Sequence, residues 1–120
     1  MRVFCDYCGK QAKLVSSTAV YDKDYGPVWY CKTCQAWVGV HKGTDIPLGR
    51  LADAELRHWK RKAHAAFDPL WWNKEMRTRK AAYEWLAEEM GLPLEKTHIG
   101  MFDVDQCKDV VRICKEARRT

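Results

Sequence analysis

Two Cys-x-x-Cys pairs, Cys5-Asp6-Tyr7-Cys8 and Cys31-Lys32-Thr33-Cys34, stand 22 residues apart in a chain of 120. Each pair sets two thiolates at the mouth of one tight turn, and two such turns brought together supply the four corners of a tetrahedron. The spacing predicts one structural Zn²⁺ held by Cys5, Cys8, Cys31 and Cys34. A disulfide framework would need an oxidising compartment, and a thioredoxin-like redox pair would need a single Cys-x-x-Cys in a βαβ unit. Short β-favouring runs between the two pairs suit neither alternative.

Those runs set the expected ribbon. Val3-Phe4 leads into the first pair, and Gly9 directly after Cys8 permits a turn whose backbone N–H groups point at sulfur. Lys13-Leu14-Val15 reads as a strand, Thr18 to Tyr21 as a second, and Asp22 to Pro27 as a turn cluster. Val28-Trp29-Tyr30 then delivers the chain into Cys31, and Ala36-Trp37-Val38-Gly39-Val40 returns as a further strand. His41 to Arg50 is a loop by its Gly and Pro punctuation, with Lys42 and Arg50 placed to hold an anion near backbone amides.

Beyond Leu51 the period changes. Leu56, Trp59, Ala63, Phe67 and Leu70 recur at helical spacing, which predicts a helix over 51–67 with these residues on its buried stripe. Arg57, Lys60, Arg61 and His64 are read as the opposite, basic face. Asp68-Pro69 resembles a helix start, with Asp as cap and Pro in the first turn, and so predicts a break before a second helix. Met76, Tyr83, Leu86 and Met90 mark that second helix, ended by Gly91 and Pro93. Leu86 to Gly91 also fits the first half of a helix-turn-helix, but Thr97 and Gly100 stand where its second half needs apolar residues. Asp103 and Gln106 form a capping-box pattern opening a last helix, with Val104, Cys107, Val111 and Cys114 on its apolar face. Seven residues of helix rise about 10.5 Å, too far for Cys107 and Cys114 to share a disulfide or one metal, so both are read as core.

The fold class is therefore α+β: an N-terminal four-cysteine zinc ribbon of short antiparallel strands, followed by a three- or four-helix C-terminal part. The expected division is 1–50 for ribbon and loop and 51–120 for the helical region, packed on the ribbon as one compact unit. No opening segment has the charged start and apolar run of a secretory signal, and no apolar run is long enough to span a bilayer. The sequence thus predicts a cytoplasmic protein without membrane contact.

Charge is uneven. The chain carries +5 overall, and residues 51–82 hold 8 Lys/Arg against 4 Asp/Glu, whereas residues 83–120 hold 6 against 8. Four thiolates with one Zn²⁺ bring the metal-bound chain to about +3. A basic helix beside a ribbon suggests phosphate neutralisation, so nucleic acid is the first expected partner, with Lys42, Arg50, Arg57, Lys60, Arg61 and His64 as contacts. A module docking on a host or phage protein through its tryptophans is the second reading. A nuclease-like enzyme using His41 and His64 is third, because a Cys₄ set is closed and leaves water no coordination position.

Several segments together resemble a family of small, mostly phage or prophage proteins described as zinc-finger-containing. They are the two cysteine pairs, Ala36 to Thr44, Pro47-Leu48-Gly49, Leu51-Ala52-Asp53, Ala63-His64, Phe67 to Trp71 and His98 to Phe102. The resemblance spans nearly the whole chain and implies a metal site and a viral origin, with the host cell cytoplasm as location. It brings no activity with it.

Overall fold

The computed structural model describes residues 1–72 and 76–118. The chain divides into two compact units, Met1–Ala54 and Glu55–Thr120.

The first unit is built on a three-stranded antiparallel sheet: β1 (Lys13–Ser16), β2 (Pro27–Cys31) and β3 (Ala36–Gly39), in the order β1-β2-β3. The central strand pairs Leu14 with Trp29 on one side and Trp29 with Val38 on the other. Trp29, Cys31, Ala36 and Val38 are buried in a cluster that also takes in Cys5, Ala12 and Leu51. A face this small closes only because a large aromatic fills it. The Trp29 indole N–H finds its acceptor at 2.7 Å in the Asp45 carbonyl.

Thr18 to Tyr21 is not a strand. Ser17–Ala19 forms a 3-10 turn, capped where the Ser16 hydroxyl accepts the Thr18 amide at 3.2 Å. The buried Ser17 hydroxyl accepts the Tyr25 amide at 2.6 Å, which folds the whole 17–26 connection back on itself. Serine and threonine side chains compete for backbone partners in this way, and here they outweigh the β preference of the neighbouring residues.

After β3 the chain doubles back along its edge. Val40 bridges Pro47 and Trp37 bridges Ala52, so the 41–46 loop is a tight reversal. Within it the His41 amide donates to Ile46 at 2.9 Å, and Thr44 returns both its amide and its hydroxyl to the His41 carbonyl.

The second unit holds α1 (Ala54–Trp72), α2 (Arg79–Met90) and α3 (Val104–Arg118), with 3-10 turns at Leu94–Lys96 and Ile99–Met101. Leu56, Ala63, Phe67 and Leu70 are buried on α1 as their spacing predicts. The break at Asp68-Pro69 does not occur: Pro69 lies inside α1. A proline there costs about 3 kcal/mol. Full burial of Phe67 and Leu70 on either side gains roughly 1.5–3 kcal/mol each, enough to carry the helix through. The cap expected at Asp68 is supplied by Thr78, whose hydroxyl accepts the Ala81 amide at 3.0 Å at the start of α2.

Gly91, at φ 66°, ends α2 in the left-handed conformation, donating its amide back to Ala87 and Glu88. No helix-turn-helix follows. Thr97 is buried with its hydroxyl donating to the Pro93 carbonyl at 2.8 Å, and the next α-helix begins only at Val104. Its capping box is reciprocal: the Gln106 amide donates to Asp103 at 2.8 Å and the Asp103 amide to the Gln106 side chain at 3.1 Å. Cys107 and Cys114 are fully buried, and Val110 and Ile113 join them, which moves the apolar face slightly from the Val104–Val111 line. The Phe67 and Tyr83 rings meet at 4.6 Å, tying α1 to α2. The Arg118 guanidinium donates to the Ala66 carbonyl at 2.9 Å, tying α3 to α1.

Candidate metal centre

Each cysteine pair sits in a backbone reversal whose construction follows from the local sequence. In the first, the Ala12 amide donates to Val3 and the Cys5 amide to Lys10, both at 2.8 Å, and the Gly9 amide closes the turn on the Cys5 carbonyl at 2.9 Å. In the second, β2 and β3 end at the Cys31–Ala36 pair, and Lys32–Gln35 makes the turn between them. The residue after the second cysteine has positive φ in both turns, Gly9 at 74° and Gln35 at 50°. The same backbone solution is reached twice, once with glycine and once with a side chain that tolerates it poorly.

The two turns bring the four sulfurs together. All lie within 4.8 Å of one another, and the Sγ atoms of Cys8 and Cys31 are 3.7 Å apart. A zinc–sulfur bond of about 2.3 Å makes a tetrahedron with edges of about 3.8 Å, so the thiol set fits the ion. Cys5 and Cys31 are buried on the core side, Cys34 is half-buried and Cys8 faces outward.

Backbone dipoles and burial divide the thiols. The Lys10 N–H beside Cys8 lowers that thiol to about 7. Burial pushes Cys34 up to about 12, and the Cys8 sulfur beside it adds to the rise. Burial also raises Cys5, although the amides of Cys8 and Tyr7 point at its sulfur. Four such groups ionise together only when a dication neutralises them, and the cluster then binds zinc as four thiolates.

The residues between the first two cysteines tie the site to the end of the unit. The Asp6 carboxylate accepts the Leu51 amide at 2.9 Å, and the Tyr7 hydroxyl accepts the Asp53 amide at 3.1 Å. Arg50 lies 5.3 Å from the centre of the Tyr7 ring. Burial raises the Tyr7 phenol above its usual value. Cysteine spacing alone conceals this role, because Asp6 and Tyr7 occupy the unspecified positions of the motif.

A closed set of four thiolates, spread over two hairpin turns and backed by a small aromatic core, defines a structural zinc ribbon with one Zn²⁺. The chain belongs to the family described as a zinc-finger-containing domain, whose model matches residues 1–117. It matches no curated protein and no solved structure. No described helix is long and apolar enough to cross a membrane.

Of Arg57, Lys60, Arg61 and His64, read as one basic face of α1, Lys60 departs from that face. Lys42 and Arg50 belong to the first unit, Lys42 exposed and Arg50 half-buried against Tyr7. On α1, Arg61 is exposed and Arg57 half-buried. Lys60 is not opposite the apolar stripe: it borders it, half-buried, and its ammonium donates to the Gly100 carbonyl at 2.7 Å. At about 100° per residue Lys60 falls beside Leu56 and Phe67, which explains its inward course. His64 approaches Asp68 at 3.7 Å, and Asp68 also accepts the Trp71 indole N–H at 3.4 Å. His41 lies in the first unit and His64 in the second. Among the described residues, the four cysteines are the one group of three or more metal-ligating side chains.

Trp59, expected on the buried stripe, is half-buried instead. Lys62 of α1 and Lys108 of α3 stand over its ring at 5.3 and 5.1 Å. The i,i+3 spacing of Trp59 and Lys62 is legible in sequence, whereas the approach of Lys108 needs the tertiary fold.

Proposed function

We propose that this chain is a non-enzymatic zinc-ribbon protein of phage origin that binds nucleic acid. The observation that carries the reading is the convergence of cationic side chains from α1 and α3 on one surface, with Lys62 and Lys108 over the Trp59 ring and Arg61 exposed nearby in sequence. Clustered cations on a folded scaffold neutralise phosphates and release counterions, which gives affinity without sequence readout. Lys42 and Arg50 remain the expected contacts of the first unit. Lys60 contributes less, because its ammonium is already met by a carbonyl. The resemblance to small phage proteins supports the origin. The zinc site serves as a staple in this reading and takes no part in chemistry.

The test is binding of labelled DNA and RNA across a salt series. Affinity should fall steeply with salt, and Arg61→Glu with Lys62→Glu should lower it further. Affinity indifferent to salt and to both charge reversals would overturn the proposal.

A second reading rests on Trp72, which ends α1 with 63% of its surface exposed and its ring 5.6 Å from that of Trp71. An exposed tryptophan of this kind anchors protein partners. Trp29 is unavailable for that role, being buried and bonded to Asp45. A partner retained after nuclease treatment and lost with Trp72→Ala would favour this reading.

A further inference from the structure

We infer that the groove beside Trp59 receives an unpaired base of a single-stranded nucleic acid, the base stacking on the indole while neighbouring lysines hold the adjoining phosphates. The inference rests on the nucleic-acid reading and specifies the form of the ligand.

The groove has a volume of about 410 Å³ and is lined by Trp59, Val111, Lys108, Arg112, Lys115 and Glu116. That is within the usual range for a small-ligand site. Its lining joins an aromatic and an aliphatic side chain, Trp59 and Val111, to four charged ones. The His58 ring stands edge-on to Trp59 at 5.5 Å, extending the aromatic surface along α1. The indole is half-buried, with Lys108 of α3 over a ring carried by α1, and it keeps part of its surface open to a ligand.

The charges select an anion. Arg112 meets Asp109 and Glu116, each at 3.6 Å, so its charge is largely answered within α3. Lys62 and Lys108 instead lie against the indole face. Such an exposed contact is weaker than a charge-assisted bond to phosphate. Both ammonium groups can therefore leave the ring for a phosphate when a base takes their place. A duplex offers phosphates but keeps its bases stacked inside, so it satisfies only half of this surface. A single strand satisfies both halves, since every base has a π-face.

The experiment measures polarisation of labelled oligo(dT), oligo(U), an abasic oligonucleotide of the same length and a blunt duplex, each against the zinc-loaded full chain. Single strands bearing bases should bind at least about tenfold more tightly than the abasic strand. Trp59→Leu should abolish that margin and Trp59→Phe should keep most of it, with melting temperatures recorded for both. Lys62→Gln with Lys108→Gln should flatten the salt dependence on oligo(dT) while retaining a preference for bases. A Trp59-dependent margin with either oligo(dT) or oligo(U) supports the inference and identifies the sugar. Equal affinity for abasic and base-bearing strands overturns stacking and leaves the nucleic-acid reading standing. Failure of all four ligands to bind overturns both. The abasic comparison uses the unaltered protein, so equal affinities overturn stacking even where Trp59→Leu does not fold, and the conservative Trp59→Phe then places the margin at this ring.

Discussion

The carboxylate of Asp6 accepts the backbone amide of Leu51 at 2.9 Å across 45 residues of chain. Leu51 is almost wholly buried, and removing that oxygen takes away the acceptor its amide has here. Asp6→Ala should therefore cost about 1–3 kcal/mol, the usual penalty for orphaning a buried donor. Asp6→Asn, which keeps an acceptor, should cost less. Urea unfolding of the zinc-loaded protein reads both, and equal midpoints for Asp6→Ala and the parent would contradict the assignment.

Thiol reactivity should separate the six cysteines into two classes. In the zinc-loaded chain all should resist alkylation. Chelation should release four, while Cys107 and Cys114 stay protected until denaturant is added, since both are fully buried and burial raises Cys114 to about 11. Elemental analysis should give about one zinc per chain.

Zinc affinity should fall as pH falls. Without metal, burial pushes Cys34 up to about 12 and raises Cys5, while the Lys10 N–H lowers Cys8 to about 7, so binding at neutral pH must displace protons. Metal-bound thiols stay ionised well below their free values, so binding releases protons. The metal's contribution is full above the free values and fades as acidity rises. Chelator competition at a series of pH values should show more than about a tenfold loss per unit, because more than one proton is exchanged.

The two positive-φ positions should respond in opposite directions. Gln35→Gly removes a left-handed strain of roughly 1–2 kcal/mol, partly offset by added freedom of the unfolded chain, and should raise the melting temperature slightly. Gly9→Ala introduces the same strain and should lower stability by about 1 kcal/mol. No atom lies within 4 Å of the Cβ that alanine would add, so the loss measures backbone conformation alone.

Lys60 and Arg61 are neighbours in sequence with different expected roles. Lys60→Ala should destabilise the second unit by about 1–3 kcal/mol through loss of the bond to Gly100, with a small effect on nucleic-acid affinity. Arg61→Ala should do the reverse. Thermal melts and salt-dependent binding on the two variants distinguish them.

The zinc ligands, the strands at Lys13 and Trp29, the C-terminal end of α2 and the capping box of α3 were legible because each carries a short local motif. The strand assigned to Thr18–Tyr21 failed where Ser16 and Ser17 captured backbone groups locally. The break at Pro69 failed for the opposite reason, since the burial of Phe67 and Leu70 is a tertiary quantity that no cap signal reports. Lys60 was misplaced by treating charge as a face when its angle put it beside the core. The role of Asp6 was hidden because its partner lies in another part of the chain.

The tether from Asp6 and Tyr7 to Leu51 and Asp53 also bears on protein engineering. A generic Cys-x-x-Cys knuckle grafted in place of residues 5–8 would keep all four sulfurs while severing both long-range hydrogen bonds. Such a chimera should load metal normally yet leave the 50–53 segment open to limited proteolysis, so metal content alone would be a poor measure of a successful graft.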